Sequence, residues 1–221
     1  GSLGALSTVA HELGHAWHAE CIKDRPWALQ QYPMTLAETA SIFCETIVVQ
    51  AALKEMSDRE AVTILEQSIS DATQVIVDIY SRYLFETKLF ETRKDHPLSV
   101  KELNAFMLEA QKEAYGDGLD EEVLHPYMWL NKTHYYSAGR NFYNFPYAFG
   151  LLFSKGLYAI YLKRGESFVP EYDALLSVTG KKSIKEVAEL MDIDVTKPDF
   201  FRDSLKIVER DIEKFLELTK K

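Results

Sequence analysis

The chain is organised around residues 7–20, STVAHELGHAWHAE, which carry three histidines in a helix-forming run. His11 and His15 are four residues apart, so a helix places both imidazoles on one face, about one turn from each other. This HExxH spacing lets both rings bind one metal ion, with zinc as the expected metal. Glu12 follows the first histidine, and its carboxylate can accept a proton from a water molecule at the metal. The stretch therefore predicts a metal site rather than two polar residues on an ordinary helix face.

His18 lies on the same face and is a tempting third ligand. It is seven residues from His11, about 10 Å along the helix axis, so one ion between His11 and His15 cannot easily reach it. The longer motif HExxHxxGxxH also fails, because His18 and Cys21 occupy its glycine and final histidine positions. We therefore interpret His18 as a packing residue or as a residue that supports a ligand.

The third ligand is expected to be a carboxylate from a neighbouring helix. A catalytic zinc ion takes three protein ligands and leaves its fourth position for water. Glu38 and Glu45 are seven residues apart, so both can face the first helix. Glu38 could instead pair with Thr35 in a capping box. Glu45 could instead be a solvent-exposed helix residue, although its apolar neighbours argue against that.

The spacing of apolar residues predicts helices over most of the chain and no convincing period-two strands. The predicted fold is all-α or nearly so, a multi-helix domain with HExxH on its first helix. In the first half of the chain, helices are predicted from Leu3 to Ile22, from a Thr35 cap to about Met56, and from a Ser57–Glu60 capping pattern to Arg93. A fourth is predicted from Ser99 and Glu102 to near Gly116, and a fifth from the aromatic stretch 135–153 to near Arg164. A short helix is predicted to start at Ser183 with Glu186, and the last runs from Pro198 to near Leu218.

Composition and charge restrict the classes of function. Hydrophobic residues make up 47% of the chain and charged residues 27%, the balance of a soluble globular protein. The net charge of −9 without a basic block argues against a nucleic-acid partner. The most apolar segment, 147–162, is too short to span a membrane and contains Lys155. Cys21 and Cys44 are interpreted as buried thiols, and the N-terminus has no signal-peptide pattern, so we expect a cytoplasmic location.

The motif HELGHAWH, followed by ETAS at residues 38–41, resembles the M3 peptidases, in particular oligoendopeptidase F and its relatives. HExxH is the arrangement of zinc metallopeptidases. The resemblance implies one zinc ion per chain and makes Glu38, 23 residues after His15, its third protein ligand. It matches Glu45 to an acidic position that steadies a ligand histidine.

Residues 134–150, HYYSAGRNFYNFPYAFG, supply a third match. They resemble the oligoendopeptidase F pattern in which a histidine is followed by Phe-Tyr and then by Tyr-Ala-x-Gly. The resemblance implies that His134 and nearby tyrosines, Tyr147 first and then Tyr143, line the active site. Attack of water on a peptide carbonyl builds negative charge on oxygen, which an imidazole N–H or a tyrosine hydroxyl stabilises. The alternative for any one tyrosine is a place in an aromatic core.

The resemblance covers nearly the whole chain and implies a zinc-dependent endopeptidase that cuts internal bonds of short unfolded peptides. Only ten residues precede His11, too few for the sheet that lies upstream of the metal helix in such enzymes. We therefore expect residues 1–221 to be one helical domain, the C-terminal catalytic portion of a larger peptidase, with its upstream part as partner. Two alternatives are an HExxH zinc carboxypeptidase and a non-catalytic helical binding module with a vestigial site. The intact Glu12 argues against the second alternative.

Overall fold

The structure, a computed structural model, describes residues 3–220. These residues form helices and turns and contain no strand, so the predicted all-α fold is confirmed. A π-helical turn (Gln74–Asp78) joins the fourth helix to the fifth, and 3-10 turns occur in several connections. The helices are α1 (Leu3–Ile22), α2 (Met34–Ala37), α3 (Thr39–Ala52), α4 (Asp58–Thr73), α5 (Ile79–Thr92), α6 (Val100–Tyr115), α7 (Phe145–Arg164), α8 (Phe168–Leu176), α9 (Ile184–Glu189) and α10 (Pro198–Thr219).

The chain folds into two compact units, each with its own core. The first contains residues 3–72 and 149–220, and its core joins α3 to α7, α8, α9 and α10. In that core the Phe43 ring lies 5.4 Å from Phe168 and 4.6 Å from Tyr172 between ring centroids. The second unit, residues 73–148, has a smaller core around Phe85, Met107 and Ala110.

The middle of α7 is buried on every side. Each residue from 153 to 159 is buried, including Lys155. A helix that is enclosed all round has no solvent-facing stripe, which is why this segment is so apolar. Among residues 3–220 no helix is both long enough and apolar enough to cross a bilayer.

The region around Glu38 departs from the prediction. Thr35 does not cap a helix that runs to about Met56, because it is buried inside α2 and Pro33 takes the N-cap position. Glu38, at φ −90° and ψ 5°, then interrupts the helix, and α3 ends at Ala52. The Ser154 hydroxyl on α7 hydrogen-bonds the backbone carbonyl of Thr39 at 3.0 Å. The break is therefore held by a tertiary contact that local sequence does not reveal.

Other helix ends follow the predicted capping chemistry. Ser99 with Glu102 and Ser183 with Glu186 both form capping boxes, as predicted. α8 was not predicted. Its Pro170 lies in the first turn, where a missing N–H removes no intrahelical hydrogen bond.

Candidate metal centre

α1 presents His11 and His15 on the side that packs against α3. Their ring centroids lie 4.9 Å apart, and the ring planes meet at 80°. Their side chains are 29% and 33% exposed, so both remain accessible from solvent. Both Nε2 atoms lie close to one carboxylate oxygen, as a shared metal ion would require.

That oxygen belongs to Glu38, in the turn between α2 and α3. Glu38 Oε2 lies 3.3 Å from His11 Nε2 and 3.5 Å from His15 Nε2. The same oxygen accepts a hydrogen bond from the Ser41 hydroxyl at 2.8 Å. The break in the helix at Glu38 thus serves the site, because it places this carboxylate beside two rings of another helix.

These three side chains fit a zinc ion. One ligand atom from each lies within 4.8 Å of the other two, and no other such group of His, Cys, Asp or Glu occurs among the described residues. Around tetrahedral zinc with bonds of about 2.0 Å, ligand atoms are about 3.3 Å apart. The observed nitrogen-to-oxygen separations of 3.3 and 3.5 Å match that value. Two histidines and one glutamate are also a donor set found in catalytic zinc sites.

Two glycines allow the backbones to approach closely enough for this arrangement. A Cβ atom on Gly14 would lie 2.3 Å from the carbonyl oxygen of Ala40, so α1 and α3 touch backbone to backbone there. A Cβ atom on Gly150 of α7 would lie 3.1 Å from Cβ of Glu38. The Gly14 contact is shorter than real Cβ atoms show and the Gly150 contact is tighter than most, so glycine at these positions helps Glu38 to sit beside the histidines.

Glu45 lies behind His11. Its Oε2 is 3.3 Å from His11 Nδ1, and its Oε1 accepts a hydrogen bond from the Ser7 hydroxyl at 2.7 Å. A ligand histidine commonly donates its second ring N–H to a carboxylate, which fixes the ring and leaves the other nitrogen for the metal. The contact is the one that the supporting role predicted for Glu45 requires.

Glu12 is exposed on α1, directly after His11 in the chain. An exposed carboxylate can exchange protons with water and with a bound substrate. Its role as the base is a prediction from the motif.

His18 is fully buried and lies outside the ligand group. The Thr179 hydroxyl donates to the carbonyl of Leu176 at 2.9 Å. Because that hydroxyl proton is used, Thr179 Oγ1 accepts the 2.8 Å hydrogen bond from His18 Nε2. The ring also stacks on Tyr32 at 4.1 Å. Burial, reinforced by the charge of His15, lowers the pKa of His18 to about 4, so this histidine is a neutral packing residue.

His134, Tyr143 and Tyr147 come together in the second unit. The His134 ring is buried and lies 5.6 Å from Tyr143 between centroids, and the hydroxyls of Tyr143 and Tyr147 are 3.1 Å apart. Burial lowers the pKa of His134, as do the nearby cations Arg82, Lys132 and Arg140. His134 Nε2 is buried without a hydrogen-bond partner in residues 3–220. The structure thus groups these three residues, while their catalytic roles stay predictions.

Sequence reasoning did not identify several residues that shape the site. Ser7 and Ser41 hold the carboxylates, and hydroxyl residues near a motif give no distinct signal for this. Gly14 could have been noticed, because a glycine inside a strong helix pattern indicates close packing or function. Gly150 belongs to the matched Tyr-Ala-x-Gly pattern, but its close approach to Glu38 depends on where α7 packs, which the pattern does not indicate.

Known proteins resemble this chain in both sequence and structure. A model of peptidase family M3 matches residues 2–207. The chromosomal oligoendopeptidase F of Lactococcus lactis subsp. cremoris is 26% identical over all of this chain and 37% of its own length. Oligopeptidase PepF of Bacillus subtilis strain 168 is 24% identical over 98% of this chain and 32% of its own length. The chain therefore spans about a third of the length of these curated relatives.

Two solved structures share the fold. A peptidase described as putative, from Chlamydophila abortus, superposes with a TM-score of 0.88 at 26% identity, covering 98% of this chain and 36% of that one. Oligoendopeptidase-F from Enterococcus faecium superposes with a TM-score of 0.81 at 23% identity, covering 98% and 39%. Because the family model spans nearly the whole chain, this chain belongs to peptidase family M3.

Proposed function

We propose that this chain carries the catalytic centre of a zinc-dependent endopeptidase that hydrolyses internal bonds of short, unfolded peptides. The observation that carries the proposal is the cluster of His11, His15 and Glu38, with Glu12 next to the first ligand. Family membership supports it, as do the matched relatives named oligoendopeptidase F or oligopeptidase.

The proposed ligands are His11, His15 and Glu38, holding one zinc ion per chain. Zinc bound there would polarise a water molecule and lower its pKa towards neutrality. Glu45 would hold the His11 ring with its Nε2 free for the metal. Ser41 would fix the rotamer of Glu38 through its hydroxyl.

Glu12 is proposed as the general base. Its carboxylate accepts the proton of the attacking water and later transfers it to the leaving amine. Its exposure supports this role, because the group must exchange a proton with both water and substrate.

His134 and Tyr147, with Tyr143 beside them, are proposed to donate hydrogen bonds to the oxyanion that forms during attack. The lowered pKa of His134 favours the neutral ring, which carries one N–H at neutral pH. The hydrogen bond between the two tyrosine hydroxyls would hold both rings in one orientation.

We also propose that residues 1–221 are the catalytic portion and that the upstream part of the same enzyme contributes to peptide binding. The length of the matched relatives supports this, because the chain spans only about a third of them.

The proposal is tested with Glu12→Gln in the full-length protein. Loss of the base should lower kcat by about 10²–10⁴-fold and leave the zinc content unchanged, because Glu12 is not among the ligands. Kinetics on a fluorogenic peptide and elemental analysis measure the two quantities. Glu20→Gln is the matched control, since Glu20 is an exposed glutamate of the same helix.

Turnover that is unchanged in Glu12→Gln would rule out Glu12 as the base. Mass spectrometry of the products identifies the bond that is cut. Internal cuts support an endopeptidase, whereas removal of C-terminal residues alone would indicate a carboxypeptidase. No cleavage of any peptide by the zinc-loaded protein would favour the non-catalytic binding module.

A further inference from the structure

Phe142 has an unusual backbone conformation for a bulky residue. Its φ is +52°, in the left-handed region that favours glycine. Such strain persists only where the surrounding structure holds it, and it is often found at functional sites. In this chain, Phe142 directly precedes Tyr143, one of the residues proposed for the oxyanion site.

A buried carboxylate holds the Phe142 backbone. The Phe142 N–H donates a hydrogen bond to Glu86 Oε1 at 3.0 Å. Glu86 lies on α5 and is only 4% exposed. Burial raises its pKa, and the hydrogen bond from Phe142 acts in the opposite direction. A polar group buried this deeply requires such a partner, so the contact is one that the fold must maintain.

The Phe142 side chain is anchored to the same helix. Its ring lies 5.7 Å from Tyr83 and 5.7 Å from Phe90 between centroids. Both the backbone and the side chain of Phe142 are therefore tied to α5. The neighbouring Asn144 Oδ1 is buried without a hydrogen-bond partner among residues 3–220, so this oxygen adds no hydrogen bond to α5.

We propose that Glu86 is a positioning residue for the aromatic segment, acting through the backbone N–H of Phe142. By fixing the left-handed turn, it sets the direction of Tyr143, which contacts the His134 ring and hydrogen-bonds the Tyr147 hydroxyl. Glu86 does not touch substrate. Its role in the reaction rests on the proposed function, whereas its hold on the segment does not.

The test compares Glu86→Gln with Glu86→Leu in the full-length protein. Glutamine keeps a carbonyl oxygen that can accept the Phe142 N–H, whereas leucine fills a similar volume without an acceptor. Glu91→Leu is the matched control, because Glu91 is an exposed glutamate of the same helix. Hydrogen exchange of peptides covering residues 137–147, read by mass spectrometry, reports on the segment independently of activity.

We expect Glu86→Leu to speed exchange at Phe142 by at least tenfold. It should also lower kcat by about ten- to hundredfold with little change in KM, since a small displacement of a catalytic group costs that much. Glu86→Gln should restore slow exchange and bring kcat within about threefold of the wild type. The double variant with Tyr143→Phe should lose less than the product of the two single losses, because both changes act on one segment.

Slow exchange and unchanged kcat in Glu86→Leu would overturn the proposal. A fall in kcat for Glu86→Gln as large as that for Glu86→Leu would also overturn it, because the charge of Glu86 rather than its acceptor oxygen would then matter. Glutamine tests the proposal even if the leucine variant does not fold. If the wild type cleaves no peptide, the proposed function fails, but the exchange rates still decide whether Glu86 holds the segment.

Discussion

At the scale of single residues, His18 links burial to acid stability. Its pKa of about 4 lies below the ordinary value of 6.5, so the folded state binds a proton less readily than the unfolded chain. The stability from neutral His18 is complete above pH 6.5 and is lost as the pH falls towards 4. A pKa shift of this size corresponds to roughly 3 kcal/mol of unfolding free energy, lost across the pH range between the two pKa values.

We therefore predict that His18→Gln loses less unfolding free energy than the wild type between pH 7 and pH 4.5, by about 2 kcal/mol. Urea unfolding at both pH values, with chelator present to exclude metal release, measures the difference. His125→Gln is the control, because His125 is an exposed histidine of the same chain. Equal pH dependence in wild type and His18→Gln would show that His18 does not titrate in this window.

Residue spacing indicated the two candidate histidine ligands but did not choose the third candidate ligand. His11 and His15 are recognisable from spacing, because a helix turns that spacing into a shared face. Spacing left Glu38 and Glu45 as equal candidates for the third ligand. The structure separates them, with Glu38 near the Nε2 atoms of both rings and Glu45 near Nδ1 of one. That difference depends on the helix break at Glu38, which no local signal predicts.

At the scale of elements, the contact between α1 and α3 determines the site. Gly14 lies where the two helix backbones touch. A Cβ atom added to it would lie 2.3 Å from the carbonyl oxygen of Ala40. Because that neighbour is backbone, it cannot move aside as a flexible side chain would. The distance from Glu38 to the histidines therefore depends on Gly14.

We predict that Gly14→Ala destabilises the fold by about 1–3 kcal/mol, the usual cost of overpacking, and weakens zinc binding. At an exposed helix site the same change would instead stabilise by up to about 1 kcal/mol. Gly4→Ala on the same helix is the matched control, because a Cβ there meets nothing within 4 Å. Urea unfolding and zinc titration against a competing chelator measure both effects. A Gly14→Ala protein as stable as Gly4→Ala would contradict the packing described here.

Helix positions were predictable where caps and apolar spacing agree, and less so where tertiary contacts decide. The capping boxes at Ser99 and Ser183 mark the starts of α6 and α9. α8 was missed, although Pro170 in its first turn is compatible with a helix. The predicted helix from Ser57 to Arg93 contains a π-helical turn at Gln74–Asp78, and its apolar spacing gave no indication of that change.

At the scale of the whole molecule, the residues proposed for catalysis fall into both compact units. The ligand set and Glu12 belong to the first unit, and His134, Tyr143 and Tyr147 belong to the second. Each group is assembled within its own unit by contacts that the structure describes. The metal site can therefore be tested separately from the aromatic segment, by metal binding rather than by turnover.

The most direct test of the central claim is the zinc content per chain, measured by elemental analysis for wild type, Glu38→Ala and Glu45→Ala. We predict one zinc ion in the wild type, far less in Glu38→Ala, and retained but weaker binding in Glu45→Ala. Loss of a residue that supports a ligand typically lowers metal affinity by about 10–100-fold. Undiminished zinc in Glu38→Ala would contradict the proposed ligand set.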